Sequence, residues 1–460
     1  MSSTQYPKLT FYGGAGAVTG ACYLLETAHT KIIIDCGMFQ GSRFSETLNS
    51  DPFPFDPKEL KAALITHAHI DHTGRLPKLC KDGFSGNIHA TMPTLDFTKA
   101  LLIDSQHVIA MEAKHEGQEP FYTEKDVELV FALVKPVEYG MMVHIAEDMA
   151  CKFYDAGHIL GSSMIEVFVT VGDKKTKIVF TGDLGNSPGP LLRDTHKETE
   201  ADYVVIESAY GDRLHEGEGE RKDTLEDIIE ETAAAGGVLM IPAFATERTQ
   251  ELLYEFNELV EHDRIPKMPV FIDSPLAIKI TEVYKRYSSF YDEEALRLLK
   301  SGDEIFSFPG LKFTPTIEDS KRINSVPPPK IILAGSGMSH GGRIVYHEKL
   351  YLPDPKSTLL IIGYQIKGSL GRRLLDGEKT VRIHGDEVTV RARIRQISGY
   401  SAHADQQGLY RWVEPMRLSI KKLFVVQGEE SASETFAQIV KDQLAIDAIA
   451  PKVGDSFVLE

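Results

Sequence analysis

Cysteine is scarce in this chain. Four cysteines are spread over 460 residues, and Cys22, Cys36, Cys80 and Cys151 form no CxxC pair. That scatter excludes a disulfide frame and fits reduced thiols in a cytoplasm, each a buried filler. Positive charge is also in deficit. Fifty Lys and Arg stand against 67 Asp and Glu, a formal net charge of −17. Such a balance argues against indiscriminate binding to nucleic acid, although a local basic track is compatible with it. No apolar run reaches the roughly 20 residues of a membrane span. The start, Met1 to Pro7, lacks the basic segment and apolar block of a secretory leader. What is left is an ordinary soluble composition, 42% hydrophobic and 25% charged. At 460 residues the chain exceeds one core and divides into two or three domains.

Against this plain background one stretch is dense in metal ligands: Thr66-His67-Ala68-His69-Ile70-Asp71-His72-Thr73-Gly74. It follows Ala62 to Ile65, a short apolar run that reads as a buried strand. Zinc takes imidazole, thiolate or carboxylate ligands, and a catalytic site keeps one position open. Four such ligands on one loop exceed what a single open site needs, so the loop reads as the floor of a two-metal site. Other strand ends carry matching groups. Lys31 to Ile34 leads to Asp35, placed to orient the metal loop by a hydrogen bond. Lys152 to Asp155 runs into Gly157-His158, and Lys177 to Thr181 into Gly182-Asp183. His158 completes a three-histidine site with His67 and His69, and the two oxygens of Asp183 suit a bridge. Val204 to Ile206 ends at Glu207. His89, His107, His115 and His144 have no ligand partner at useful spacing and read as ordinary histidines. Gly13 to Gly20 is glycine-rich, but no helix start follows to hold a pyrophosphate. It reads as a tight hairpin.

Beyond residue 210 strands and helices alternate. Helices are predicted over 223–235, 246–261, 276–287 and 342–350, with strands over 238–243, 269–273, 330–335 and 358–363. This pattern implies a parallel sheet with helices on both faces. A strand is also predicted over 388–397, with Arg391, Arg393 and Arg395 on one face. It leads to Ser401-Ala402-His403-Ala404-Asp405.

Asp35, His67-x-His69-x-Asp71-His72, His158 and Asp183 resemble the first four motifs of the metallo-β-lactamase superfamily. Glu207, His384 and His403 resemble motifs A, B and C of its β-CASP branch of RNA-processing nucleases. The stretches 241–253, 273–277, 335–343 and 363–372 are similar to bacterial and archaeal members. The resemblance implies an α/β fold: an αββα metallo-β-lactamase sandwich (1–209 and 371–460) with an inserted β-CASP domain of parallel α/β type (210–370). It further implies a zinc-dependent ribonuclease in RNA processing or decay, leaving 5′-phosphate and 3′-hydroxyl ends, with two Zn2+ per chain or Mn2+ in their place. One ion would take His67, His69 and His158, the second Asp71, His72 and His403, with Asp183 bridging. His384 would give the leaving oxygen its proton, and Glu207 would fix an imidazole. One departure is Val426-Gln427-Gly428-Glu429, where relatives are expected to have His-Gly-Glu. Position 427 is read as lying outside the ligand motifs.

Single-stranded RNA is the expected partner, contacted by Arg248, Arg343, Lys367, Arg372 and Arg373 beside glycine-rich strand ends, and by the row Arg391, Arg393 and Arg395. A homodimer is implied by the resemblance. Three other readings belong to neighbouring classes: a small-molecule ester or thiolester hydrolase, a DNA nuclease of the same superfamily, and a non-catalytic RNA-binding scaffold. An inserted domain argues against the first, His403 against the second, and a filled ligand set against the third.

Overall fold

The computed structural model of the chain describes residues 6–41, 43–215, 218–363, 365, 368–397 and 399–460. It divides into two compact units, Met1–Leu214 with His403–Glu460, and His215–Ala402. Among the described residues no helix is long and apolar enough to cross a membrane.

Among the described residues the first unit holds two sheets of seven strands. One runs in the order Ser456–Val458, Lys8–Gly13, Cys22–Glu26, Lys31–Ile34, Ala62–Leu64, Asn87–Thr91, Val134–Val137. The other runs Ala448–Ile449, Lys422–Val426, Tyr203–Glu207, Lys174–Phe180, Ser163–Val171, Met149–Asp155, Val143–Ala146. Alternation decides which side chains face inward: along Met149–Asp155 the buried residues are Met149, Cys151 and Phe153. Leu9, Phe11 and Ile34 of the first sheet meet Phe153, Phe180 and Phe424 of the second in one buried cluster. Each fully buried side chain of this size contributes about 2–3 kcal/mol by leaving water.

Helices cover the outer faces. Met92–Glu116 and Glu124–Ala132 pack on the first sheet through Leu95, Leu102, Val127 and Val130. Gln406–Val413 and Glu430–Leu444 pack on the second through Leu409, Val413, Phe436 and Val440. The order of layers is therefore αββα. Two sets of parallel strands matter most: Lys31–Ile34 beside Ala62–Leu64, and Lys174–Phe180 beside Tyr203–Glu207 and Lys422–Val426. Parallel strands bring their C-terminal ends to one edge, where the loops that follow can share a site.

Among the described residues the second unit is built on six parallel strands in the order Leu311–Phe313, Val270–Ile272, Lys330–Ala334, Val238–Pro242, Thr358–Ile362, Arg393–Ile397. Its central strands are buried throughout, which is why they read as unbroken apolar runs. Helix Ile344–Tyr351 covers one face through Ile344, Val345 and the following Leu352.

Two boundaries differ from the sequence expectation. Residues 371–402 join the second unit, not the C-terminal part of the first. The reason is Arg393–Ile397, which adds to the parallel sheet along Thr358–Ile362. The strand expected over 388–397 is also broken. Asp386–Thr389 pairs back on Thr380–Ile383 as a hairpin, and the backbone N–H groups of Arg391 and Ala392 then both bond to the Leu352 carbonyl.

The second unit also buries a carboxyl. Glu348 is 0% exposed; the Ser339 hydroxyl reaches its Oε1, and Oε2 has no hydrogen-bond partner among the described residues. Burial pushes this carboxyl up to about 8, and the Ser339 contact offsets little of that. An unfolded glutamate loses its proton near pH 4.3, so between about pH 4.3 and 8 the folded chain binds more protons and stability falls as pH rises. Glu348→Gln is expected to remove that slope. The gain over wild type should be small at pH 5 and on the order of 1–3 kcal/mol at pH 8. Melting temperatures of both proteins across this range test it; parallel profiles would contradict it.

Candidate metal centre

The loop after Ala62–Leu64 is held against the loop after Lys31–Ile34. The N–H of Cys36 donates to His72 O at 2.8 Å and that of Met38 to Ile70 O at 2.9 Å. The approach is so close that a Cβ at Gly37 would fall 1.5 Å from the Asp71 carbonyl oxygen, so only glycine fits there. Asp35 leaves its strand with φ +59°. That turn aims its buried carboxylate at three donors: Thr66 N at 2.8 Å, Thr66 Oγ1 at 2.8 Å and His72 Nδ1 at 2.7 Å. Asp35 thus fixes the ring of His72 and the first residue of the loop.

Four donor atoms then converge. His67 Nε2 lies 3.0 Å from His69 Nδ1, and His158 Nε2 lies 3.3 Å from the same atom. Asp183 Oδ2 is 3.5 Å from both His67 Nε2 and His158 Nε2. Four ligands at zinc bond lengths form a tetrahedron with edges of roughly 3.3 Å. The observed spacings are of that size, so the residues fit a zinc ion. Burial, with His72 and His69 nearby, holds His67 well below the usual histidine range, which keeps it the neutral imidazole a metal needs.

Around His72 the donors are different. Its Nε2 lies 3.3 Å from Asp183 Oδ1, 3.9 Å from Asp71 Oδ2 and 2.9 Å from the amide Nε2 of Gln427. Burial opposes a charge on His72, but Asp183, Asp35 and Asp71 outweigh it and raise its pKa well above the ordinary value. Burial likewise works against ionised Asp183, yet His72, His67 and His403 hold it well below the carboxylate range. Burial raises Asp71 to about 6, with Asp183 adding to the rise. A buried pocket lined by carboxylates favours positive charge. Gln427 enters this pocket because Lys422–Val426 ends beside Tyr203–Glu207, Val426 pairing with Glu207. Its N–H donates to Gly14 O at 2.6 Å, and a Cβ at Gly14 would fall 2.1 Å from Gln427 Oε1. The glycine-rich hairpin therefore serves as a wall for residue 427.

His403 is held by a carboxylate. Glu207 is 0% exposed and accepts from Leu184 N at 2.7 Å and Ala209 N at 3.2 Å. Both its oxygens face His403 Nδ1, at 3.1 and 3.2 Å. Asp183 Oδ2 lies 3.9 Å from the same nitrogen. Burial opposes charge on His403, but Glu207 and Asp183 outweigh it and push the ring up to about 9.

The structure thus brings Asp35, His67, His69, Asp71, His72, His158, Asp183, Glu207 and His403 into the first unit. His384 belongs to the second. It is exposed, with φ +50°, and with Gly385 it forms the turn of the 380–389 hairpin, its ring 4.6 Å from that of Tyr346. The basic residues have partners of their own. Arg248 is 6% exposed, ion-paired with Glu247 and Glu251 and set over the Tyr400 ring. Arg343 bonds to Asp273, Thr314 O and Pro315 O. Arg372 pairs with Asp376, Arg373 with Glu378, and Arg393 and Arg395 with Glu231. Arg391 is exposed. Lys367 lies outside the described residues. The residue that sequence reasoning set aside and the structure brings in is Gln427. Its signal was a polar residue directly after a buried strand whose neighbour ends in Glu207.

Comparison with known proteins finds three family domains along the chain. Residues 15–231 match the metallo-beta-lactamase superfamily, 249–374 the Beta-Casp domain, and 387–451 the Zn-dependent metallo-hydrolase RNA specificity domain. Ribonuclease TTHA0252 of Thermus thermophilus is 37% identical over 94% of this chain and 99% of its own. Transcription termination factor FttA of Methanosarcina mazei is 30% identical over 98% of this chain and 71% of its own. A solved structure of a protein of unknown function from Enterococcus faecalis shares the fold, with a TM-score of 0.57 at 12% identity over 98% of this chain and 100% of that one.

Proposed function

The chain belongs to the β-CASP branch of the metallo-β-lactamase superfamily, and from that premise we propose that it is a zinc-dependent ribonuclease that hydrolyses phosphodiester bonds of single-stranded RNA to 5′-phosphate and 3′-hydroxyl ends. The observation that carries the reading is the convergence of His67, His69, His158 and Asp183, in a chain so similar to a ribonuclease. These four would hold one zinc. Asp71, His72 and Asp183 would hold a second ion, giving two per chain. Zinc, when bound, supplies Lewis acidity and hydroxide near neutral pH.

The chain's own residues do the rest. Asp35 locks His72 through Nδ1, so that Nε2 faces the pocket. Glu207, itself held by two backbone N–H groups, orients His403. An imidazole fixed by a carboxylate is suited to deliver a proton in a set direction, here to the departing 3′ oxygen. The role expected of His384 is therefore assigned to His403, whose ring a carboxylate holds. His384 and Arg391, both exposed, are candidates for contacts with the RNA backbone. A homodimer in the cytoplasm accompanies this reading by family analogy.

The assignment of His403 separates two outcomes. If His403 is a proton donor, His403→Ala is expected to slow RNA cleavage by about 10²–10⁴-fold with zinc content unchanged. Cleavage rates and metal analysis on the same preparation check it. Loss of zinc in step with activity would make His403 a ligand instead.

A further inference from the structure

We propose that Gln427 makes the two ion positions unequal: the chain holds one zinc firmly at His67, His69, His158 and Asp183, and takes a second divalent ion weakly beside His72, favouring an oxygen-seeking ion such as Mn2+. This inference rests on the metal-dependent reading above and departs from two equal zincs.

The donor sets differ in kind. The first position offers three imidazole nitrogens and a carboxylate, all within 4.8 Å of one another. The second offers one imidazole, His72 Nε2, with Asp183 Oδ1 at 3.3 Å and Asp71 Oδ2 at 3.9 Å. The next side chain against His72 Nε2 is the Gln427 amide, at 2.9 Å. An amide nitrogen has no lone pair for a metal, so Gln427 can ligate only through Oε1, a neutral carbonyl oxygen. Oε1 is buried with no hydrogen-bond partner among the described residues, and so is Asp183 Oδ1. Buried acceptors left without donors are costly, and both lie next to His72, where a cation would satisfy them. The resulting set is two carboxylates, one carbonyl and one imidazole. Carboxylate and carbonyl suit Mn2+ or Mg2+, while zinc gains from each imidazole it finds. His403 approaches Asp183 through Nδ1 at Oδ2, 3.9 Å away, the oxygen that faces the first position, and Glu207 shares that nitrogen.

The test uses the full chain, loaded with excess Zn2+, exposed to a chelator and desalted before metal analysis. Wild type is expected to keep close to one zinc, Gln427→Ala the same, and Gln427→His close to two. The histidine variant should bind its second zinc on the order of 10–100-fold more tightly. Gln427→Glu keeps the shape of glutamine and should also tighten the second ion, so the test stands even if an imidazole does not fit beside Gly14. Two equally held zincs in wild type with RNA cleavage intact would overturn this inference and leave the proposed function standing. Gln427→His and Gln427→Glu both matching Gln427→Ala would overturn it too. A wild-type chain that keeps no zinc would bring down the inference together with the reading it rests on.

Discussion

Asp183→Ala is expected to abolish RNA cleavage, with a loss of about 10³-fold or more and a zinc content well below wild type. One oxygen of Asp183 faces His67 and His158 at 3.5 Å, and the other faces His72 at 3.3 Å. Its carboxylate is thereby shared between the two donor sets. Metal-bound charge stabilisation is worth several kcal/mol, and each 1.4 kcal/mol is tenfold in rate. Removing the shared carboxylate also leaves three mutually close imidazoles without the negative charge that favours a dication among them. Metal analysis and single-turnover cleavage on the same sample check the expectation. Retention of zinc and of a rate within tenfold of wild type would contradict it.

Arg221→Leu is expected to destabilise the second unit by about 3–5 kcal/mol. Arg221 is 4% exposed. Its guanidinium reaches Glu251 Oε1 at 3.0 Å, Glu255 Oε1 at 3.1 Å and the Gly399 carbonyl at 3.0 Å, and it lies over the Tyr400 ring. Arg248 pairs with the other oxygen of Glu251, and the Tyr400 hydroxyl donates to Glu255. Burial pushes Glu255 up to about 7 even with Arg221 beside it. Leucine would fill much of the space and leave two buried carboxylates short of their counter-charge, which is the costly way to break such a cluster. Denaturant unfolding of wild type and variant measures the loss. A change under 1 kcal/mol would show that the cluster carries little of the unit's stability.

Much of the centre was legible because its ligands are local. His67, His69, Asp71 and His72 lie within six residues, and Asp35, Asp183 and Glu207 each follow an apolar strand. Parallel pairing gathers such strand ends, so chemistry at several ends predicts a shared site. What could not be read depends on pairings remote in sequence. Glu207 meets His403 across 196 residues and Gln427 meets His72 across 355. Nothing in the spacing of either pair announces the contact. The partner of the arginine row was hidden for a similar reason: period-two alternation puts Arg393 and Arg395 on one face, and Glu231, on a helix remote in sequence, pairs with both. His384 precedes a glycine between two short alternating runs. Read as a hairpin turn, that dipeptide would have placed it on an exposed tip. The boundary moved from 370 to 402 because edge pairing, not helical content, decides which sheet Arg393–Ile397 joins.

The most direct measurement incubates purified, zinc-loaded protein with a 5′-labelled single-stranded RNA and its DNA counterpart, beside an Asp71→Ala, His72→Ala double variant. The account predicts cleavage of RNA by wild type alone, leaving 5′-phosphate and 3′-hydroxyl ends. Full zinc occupancy with neither strand cut, or equal cutting by the double variant, would contradict it.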